Sequence, residues 1–155
     1  EYDIMQDVIT QVTAITVANG KKTTVAVVER VPDVRSSISE TSTRLPWVGV
    51  TEIGTENYRY SPARVFMADL KFTLSCFVRG EGATSSAKRD DVMLKLTNLL
   101  DDIKVNLTNP PNHNRGGKAI DTKVTGVIRG FNATPEQGWM QVTLLIRYQD
   151  RLSAS

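Results

Sequence analysis

Two long amphipathic strands that flank one amphipathic helix constrain this chain more than any other feature. Apolar and polar residues alternate through residues 64–79 and again through residues 138–149, the period of a strand with one buried face. Between them, residues 87–107 carry an apolar stripe at helical spacing, formed by Val92, Leu96, Leu99, Leu100, Ile103 and Leu107. The helix is therefore predicted to pack its apolar face on a sheet.

The other predicted elements are shorter. Asp3 is predicted to cap a helix over residues 4–18, which Asn19-Gly20 ends. Residues 23–31, 46–53 and 118–131 read as strands, and the last of these forms a hairpin with residues 138–149. Polar loops are predicted near residues 33–45, 54–63, 80–86 and 109–118.

Two finer details follow from the same patterns. Ser85 or Ser86 is predicted to cap the long helix. Because residues 64–79 exceed the usual strand length, a bulge or bend is predicted near Ala68-Asp69.

This order of elements predicts an α+β fold with a single, mostly antiparallel β-sheet and two helices packed on one face. Strands that follow one another along the chain are expected to be neighbours in that sheet. The length of 155 residues is that of one domain, so residues 1–155 are expected to form a single unit.

Composition narrows the class of protein. The formal net charge is +2 and the basic residues are scattered, so the charge does not require a nucleic-acid partner. One cysteine cannot form an internal disulfide. No apolar run reaches the ~18 residues of a membrane-spanning helix, and no signal peptide is visible. We expect an intracellular protein or a component assembled inside a cell.

The residues that most often carry chemistry are isolated. His113 is the only histidine and lies in a Pro/Asn/Gly loop, where it cannot build a zinc site alone. Cys76 falls on the apolar face of a strand and is interpreted as a small core residue. No metal, cofactor or catalytic residue is predicted, and the chain is not expected to be an enzyme.

Paired carboxylates and glycine-rich segments also favour ordinary surface roles. Asp90-Asp91 and Asp101-Asp102 are neighbours on a helix, so their side chains diverge and are interpreted as a solvated face. Gly80-Glu81-Gly82 precedes a helix but lacks the spacing of a phosphate loop. Residues 115–118, with Arg115 and Lys118, are interpreted as a charged loop that an acidic partner or a phosphate could contact.

Aromatic residues supply the candidate interface. Tyr58 and Tyr60 flank Arg59 beside a strand, and tyrosine and arginine are favoured at interface hot spots. Stacking on nucleic-acid bases is the alternative. Trp47 lies at the start of a strand. With Arg115 and Lys118, it is also predicted to belong to the interface.

The order of segments resembles the tail terminator (tail completion) proteins of long-tailed bacteriophages. The resemblance covers nearly the whole chain. It rests on an N-terminal helix, a strand with a following Pro, a long loop and four further segments. These are RLPWVGVTEIG, VFMADLKFTLSCFVRG with the helix RDDVMLKLTNLLDDI, and a final hairpin that ends in WMQVTLLIRYQDR.

The resemblance implies a structural virion protein of the tail or neck that is assembled in the host cytoplasm. It implies a homohexameric ring on the last disc of the tail tube, which stops polymerisation of the tail tube protein. The ring offers a docking surface for the head-completion (connector) protein, and genomic DNA passes through its lumen without sequence-specific binding. No catalytic residue, cofactor or membrane partner is implied.

Three alternatives remain. Another phage neck, head-completion or tail-tube protein has the same pattern at this level of detail. A small intracellular enzyme would assemble its site from Asp, His and Arg residues far apart in sequence. A nucleic-acid-binding module would use the scattered cations Lys21, Lys22, Arg59, Arg115 and Lys118.

Overall fold

The computed structural model describes residues 2–34, 45–60, 65–109, 115, 119–131 and 137–151. In chain order its helices are α1 (Tyr2–Thr13), a short 3-10 helix (Val17–Asn19) and α2 (Ser85–Thr108). Its strands are β1 (Val27–Arg30), β2 (Trp47–Tyr60), β3 (Val65–Arg79), β4 (Asp121–Phe131) and β5 (Gln137–Arg151). Within these residues, neither helix has the length and apolarity needed to cross a membrane.

The five strands form one mixed sheet in the order β1-β2-β3-β5-β4. β1 pairs with β2 in parallel, and the other three pairings are antiparallel. The predicted α+β class with a mostly antiparallel sheet is confirmed.

The predicted sequential antiparallel pairing was wrong in two respects: β1 and β2 are neighbours but parallel, and β3 and β4 are not neighbours. β1 is parallel to β2 because residues 31–46 are long enough for the chain to return to the same end of the sheet. β5 lies between β3 and β4 because it is the more apolar strand, whereas β4 is mostly exposed and suits an edge.

Both helices pack on one face of the sheet and close a single large core. The apolar stripe of α2 is buried as predicted, and it packs on alternate residues of β3 and β5. α1 covers β1 and β2 with a second buried stripe, formed by Ile4, Met5, Val8, Val12 and, just after the helix, Ile15.

The opposite face carries a smaller apolar cluster at one end of the sheet. Trp47, Phe77 and Val31 are its buried members, and Val27, Leu45 and Trp139 pack against them. This cluster buries the start of β2 on its second face, so that segment is enclosed from both sides.

Several predicted boundaries were wrong. α1 ends at Thr13 rather than 18, and Asp3 lies inside it rather than capping it. A separate 3-10 turn follows, and Gly20 ends that turn with a left-handed φ of 80°. The β-branched residues after Thr13 are weak helix formers, which accounts for the early stop.

Residues 54–60, predicted as part of a polar loop, continue β2 as a strand. The predicted bulge near Ala68-Asp69 lies instead on the neighbouring strand. β2 holds an extra residue between Glu52 and Gly54 and another between Glu56 and Arg59, whereas β3 pairs with β5 without interruption.

The long helix begins two residues earlier than predicted, at Ser85 rather than 87. Thr84 is the N-cap, and its hydroxyl accepts a hydrogen bond from the amide of Ala87 at 3.1 Å. Ser85 and Ser86 lie within the helix. Most of the predicted loops at 33–45 and 109–118 fall outside the described residues.

Candidate interaction surface

Two of the predicted interface residues are enclosed in the single chain. Trp47 is 2% exposed and its ring lies 5.6 Å from that of Phe77. Arg115 is also buried; it forms an ion pair with Asp7 at 3.1 Å and donates to the carbonyl of Leu107. Burial lowers the pKa of Arg115, and the charge of Asp7 opposes that shift. Both side chains therefore hold the fold together rather than line its described surface.

Arg115 joins the end of α2 to α1, which sequence reasoning missed. Its partners lie far away in the chain, and no local pattern marks a buried arginine. Lys118 and His113 lie outside the described residues, so their predicted roles stay predictions.

Tyr58, Arg59 and Tyr60 lie together on the second half of β2 and are exposed. The rings of Tyr58 and Tyr60 stack with a 6.2 Å separation, and each lies 6.1 Å from the ring of Phe66. Phe66 in turn meets Tyr148 edge-on at 6.0 Å. These four rings, here named the aromatic patch, extend the core outward to solvent on the helix face of the sheet.

Arg59 points to the other face, because its ladder partner Met67 alternates with the core residues of β3. There the Asp69 carboxylate bonds Arg147 at 3.0 Å and accepts from the side-chain amide of Asn57 at 3.0 Å. These contacts, with Arg147 first, lower the pKa of Asp69. Asn57 occupies the β2 bulge with a φ of 57°, so Asp69 ties the bulged strand to β3 and β5.

Cys76 is confirmed as a core residue. It is fully buried, and burial raises the pKa of its thiol to about 12. A nucleophilic cysteine needs an accessible thiolate, which this position does not provide.

The Gly80-Glu81-Gly82 segment is already bonded within the chain. The amide of Glu81 donates to the Asp91 carboxylate at 2.8 Å, and this hydrogen bond is the main cause of the lowered pKa of Asp91. A Cβ at Gly80 would collide with the carbonyl of Lys88, so glycine is needed for the close approach to α2. The amide of Glu81 thus already donates to a carboxylate of the same chain.

The two adjacent carboxylates of α2 have different roles. Asp101 is exposed and pairs with Lys22 at 3.0 Å, as a solvated face predicts. Asp102 is 4% exposed and accepts hydrogen bonds from the amides of Lys22 at 3.2 Å and Thr23 at 2.9 Å. The solvated interpretation was wrong for Asp102, which fixes the segment before β1 to α2.

Among the described residues, no group of three or more His, Cys, Asp or Glu side chains is arranged to hold a metal ion.

Two strand edges are open in this part of the chain. β1 covers β2 only from Trp47 to Val50, so Glu52–Tyr60, here named the outer half of β2, pairs with β3 alone. At the other side of the sheet, β4 pairs with β5 alone. Open edges present unpaired backbone groups to any extended chain that meets them. Among the described strands, the sheet therefore has two different open edges on its opposite sides.

No protein-family model and no curated protein sequence matches this chain. The fold is similar to that of a chain in a solved structure of the virion of a native gene transfer agent (GTA) particle. The TM-score is 0.54 and the sequence identity 10%, over 94% of this chain and 94% of that chain. At that identity the comparison establishes a shared fold.

Proposed function

We propose that this protein is a structural component of a phage-like virion that forms a ring at the end of a tail tube. The observation that carries the proposal is the pair of unlike open edges on one sheet. A ring subunit needs two different complementary surfaces, because each copy contacts one neighbour through each of them. The likeness to a chain of a gene transfer agent virion supports a place in such a particle.

In this proposal the ring is a hexamer that caps the tube, stops addition of tail tube protein and gives the head connector a docking surface. The outer half of β2, with Tyr58, Arg59 and Tyr60, belongs to the contact between subunits. Genomic DNA passes through the lumen without base-specific contacts.

The experiment is polymerisation of purified tail tube protein in the presence and absence of this chain. Capping predicts shorter tubes with one ring of added density at a tube end by electron microscopy, and a six-fold mass by light scattering of the free or released protein. A matched control is bovine serum albumin at equal concentration, which is expected to leave tube length unchanged.

The alternatives give different results in the same assay. A tube protein would be incorporated along the whole tube length. A neck protein would bind isolated connectors and leave tube growth unaffected. Steeply salt-dependent binding to DNA with no effect on tubes would support the nucleic-acid module. Any of these three outcomes would overturn the capping proposal.

A further inference from the structure

The two open edges run in opposite directions. β3 is antiparallel to β2, β5 is antiparallel to β3, and β4 is antiparallel to β5, so β4 is antiparallel to β2. If a second copy lies beside β4 with its helices on the same face, its β2 therefore meets β4 as an antiparallel neighbour. An antiparallel ladder across the contact would continue one sheet from copy to copy.

We infer that the β4 edge of one copy pairs with the outer half of β2 in the next copy. This inference rests on the proposed ring, and it names the surfaces that build it. The lengths agree, since β4 has 11 residues and the part of the 14-residue β2 beyond its buried start is of similar extent. β1 blocks the start of β2, so only the outer half is accessible to a neighbour.

The charges along the two edges are complementary when the strands are antiparallel. Along the outer half of β2, from its start to its end, two negative side chains are followed by a positive one. Along β4, from its end to its start, two positive side chains are followed by a negative one. The side chains are Glu52, Glu56 and Arg59 on β2, and Arg129, Lys123 and Asp121 on β4. They are all the charged residues on these two segments. Opposite charges across a strand pair stabilise it, and like charges destabilise it.

The same side chains also agree in the face of the sheet that they occupy. Glu52 is opposite Phe72 and Arg129 is opposite Met140, and both of these partners lie on the helix face. The other four charges lie on the second face, because their ladder partners there are Asp69, Met67, Leu145 and Arg147. With the helices of both copies on one side, each charge meets its opposite on its own face.

Because of the bulge in β2, two of the three charged side chains on each edge have the same spacing along the sheet. Glu56 and Arg59 are separated by two positions of β3, Asp69 to Met67, and Asp121 and Lys123 by two positions of β5, Arg147 to Leu145.

The third pair is offset, by about 7 Å for two residues of strand. An arginine facing a glutamate spans that offset with two long side chains. Bulges on both edges also limit pairing with arbitrary extended chains, so the charges set the partner and the register.

A charge exchange tests the contact. One variant carries Lys123→Glu and Arg129→Glu, and a second carries Glu52→Lys and Glu56→Lys. Each is expected to lose the wild-type oligomer mass, because its two edges then repel. An equimolar mixture of the two variants is expected to recover that mass, since opposite edges meet when the variants alternate. Alternation closes a ring only for an even number of copies, so recovery also supports a hexamer. All masses are measured by light scattering.

The matched control reverses two lysines outside both edges, Lys21→Glu with Lys104→Glu, and is expected to assemble as wild type. Circular dichroism confirms that each variant is folded. Oligomers that survive in both edge variants, or a mixture that recovers no mass, would overturn the inference.

A second measurement applies if the free wild type is monomeric. A variant with Glu56→Cys and Lys123→Cys is expected to form disulfide-linked oligomers on oxidation. The cross-linked fraction should be well above that of a control with Glu56→Cys and Lys104→Cys. The native Cys76 is buried and does not compete. Equal cross-linking in the two would overturn the inference. Wild type that still caps tubes in that case would leave the proposed function in place and remove only the edge pairing.

Discussion

The two halves of β2 differ in both burial and pairing. Trp47–Thr51 is buried throughout, between the helix-side core and the Trp47 cluster, whereas most of the outer half is exposed. Trp47–Val50 pairs with β1 on one side and β3 on the other, whereas the outer half pairs with β3 alone. One strand thus serves the stability of the chain with its first half and offers an edge with its second. Mutations should separate these two roles.

The largest difference is expected between a covered and an exposed aromatic residue. Phe72 is fully buried beneath the helices, and Phe72→Ala should lower the free energy of unfolding by about 3–5 kcal/mol. Tyr60 is 67% exposed and contacts the rings of Tyr58 and Phe66, so Tyr60→Ala should cost about 1–2 kcal/mol. Urea unfolding followed by circular dichroism measures both. Equal losses would show that the outer half of β2 belongs to the cooperative core.

The elements with one buried face were predicted well from the sequence, for a physical reason. Burial on one face imposes a period of two on a strand and of 3.6 on a helix, and β3, β5 and α2 carry those periods in full. The outer half of β2 has no such alternation, since neither of its faces is fully buried, so it read as a loop. Its tyrosines and arginine were predicted from residue type to belong to an interface; they are exposed, and their role in an interface stays a prediction.

Long-range pairing explains most of what the sequence could not show. The ion pair of Arg115 with Asp7 and the hydrogen bonds of Asp102 to the segment before β1 each join distant parts of the chain. The parallel pairing of β1 with β2 likewise joins segments that are far apart in the chain. None of these leaves a local pattern of spacing.

A smaller effect is expected from the two neighbouring carboxylates of α2. Asp102→Ala leaves two backbone amides near the core without their acceptor, which should cost about 1–3 kcal/mol. Asp101→Ala removes only an exposed pair with Lys22 and should cost at most about 1 kcal/mol. Thermal unfolding of the two variants gives a direct comparison. A cost for Asp101 equal to that for Asp102 would contradict the assignment of the buried role.

A smaller loss of stability is expected from a mutation at the start of α2, the helix that covers the buried part of the sheet. Thr84→Ala removes the N-cap acceptor and should cost about 1 kcal/mol, whereas Ser85→Ala should change the free energy of unfolding little. The measurement is chemical denaturation of both variants. The reverse order would restore Ser85 as the cap.

The smallest loss of stability is expected when the pH is lowered, and it should destabilise the outer half of β2. The Asp69 carboxylate bonds Arg147 and the bulge residue Asn57, and its pKa in the folded protein lies below the ordinary value of 3.8. The stabilisation is fully present above that ordinary value and is lost as the pH falls through the lower pKa of the folded state. Arg147 is 41% exposed, so water screens the pair and the loss is modest.

Hydrogen exchange at a series of acidic pH values, corrected for the intrinsic rates, measures this loss residue by residue. Amides of the outer half should lose protection before those of Trp47–Thr51, and Asp69→Asn should remove most of that difference in pH response. A uniform loss along β2 would show that the two halves open as one unit. Earlier opening of the outer half would show instead that the edge is held by its own local contacts, so that it can reorganise on a partner while the covered half stays folded.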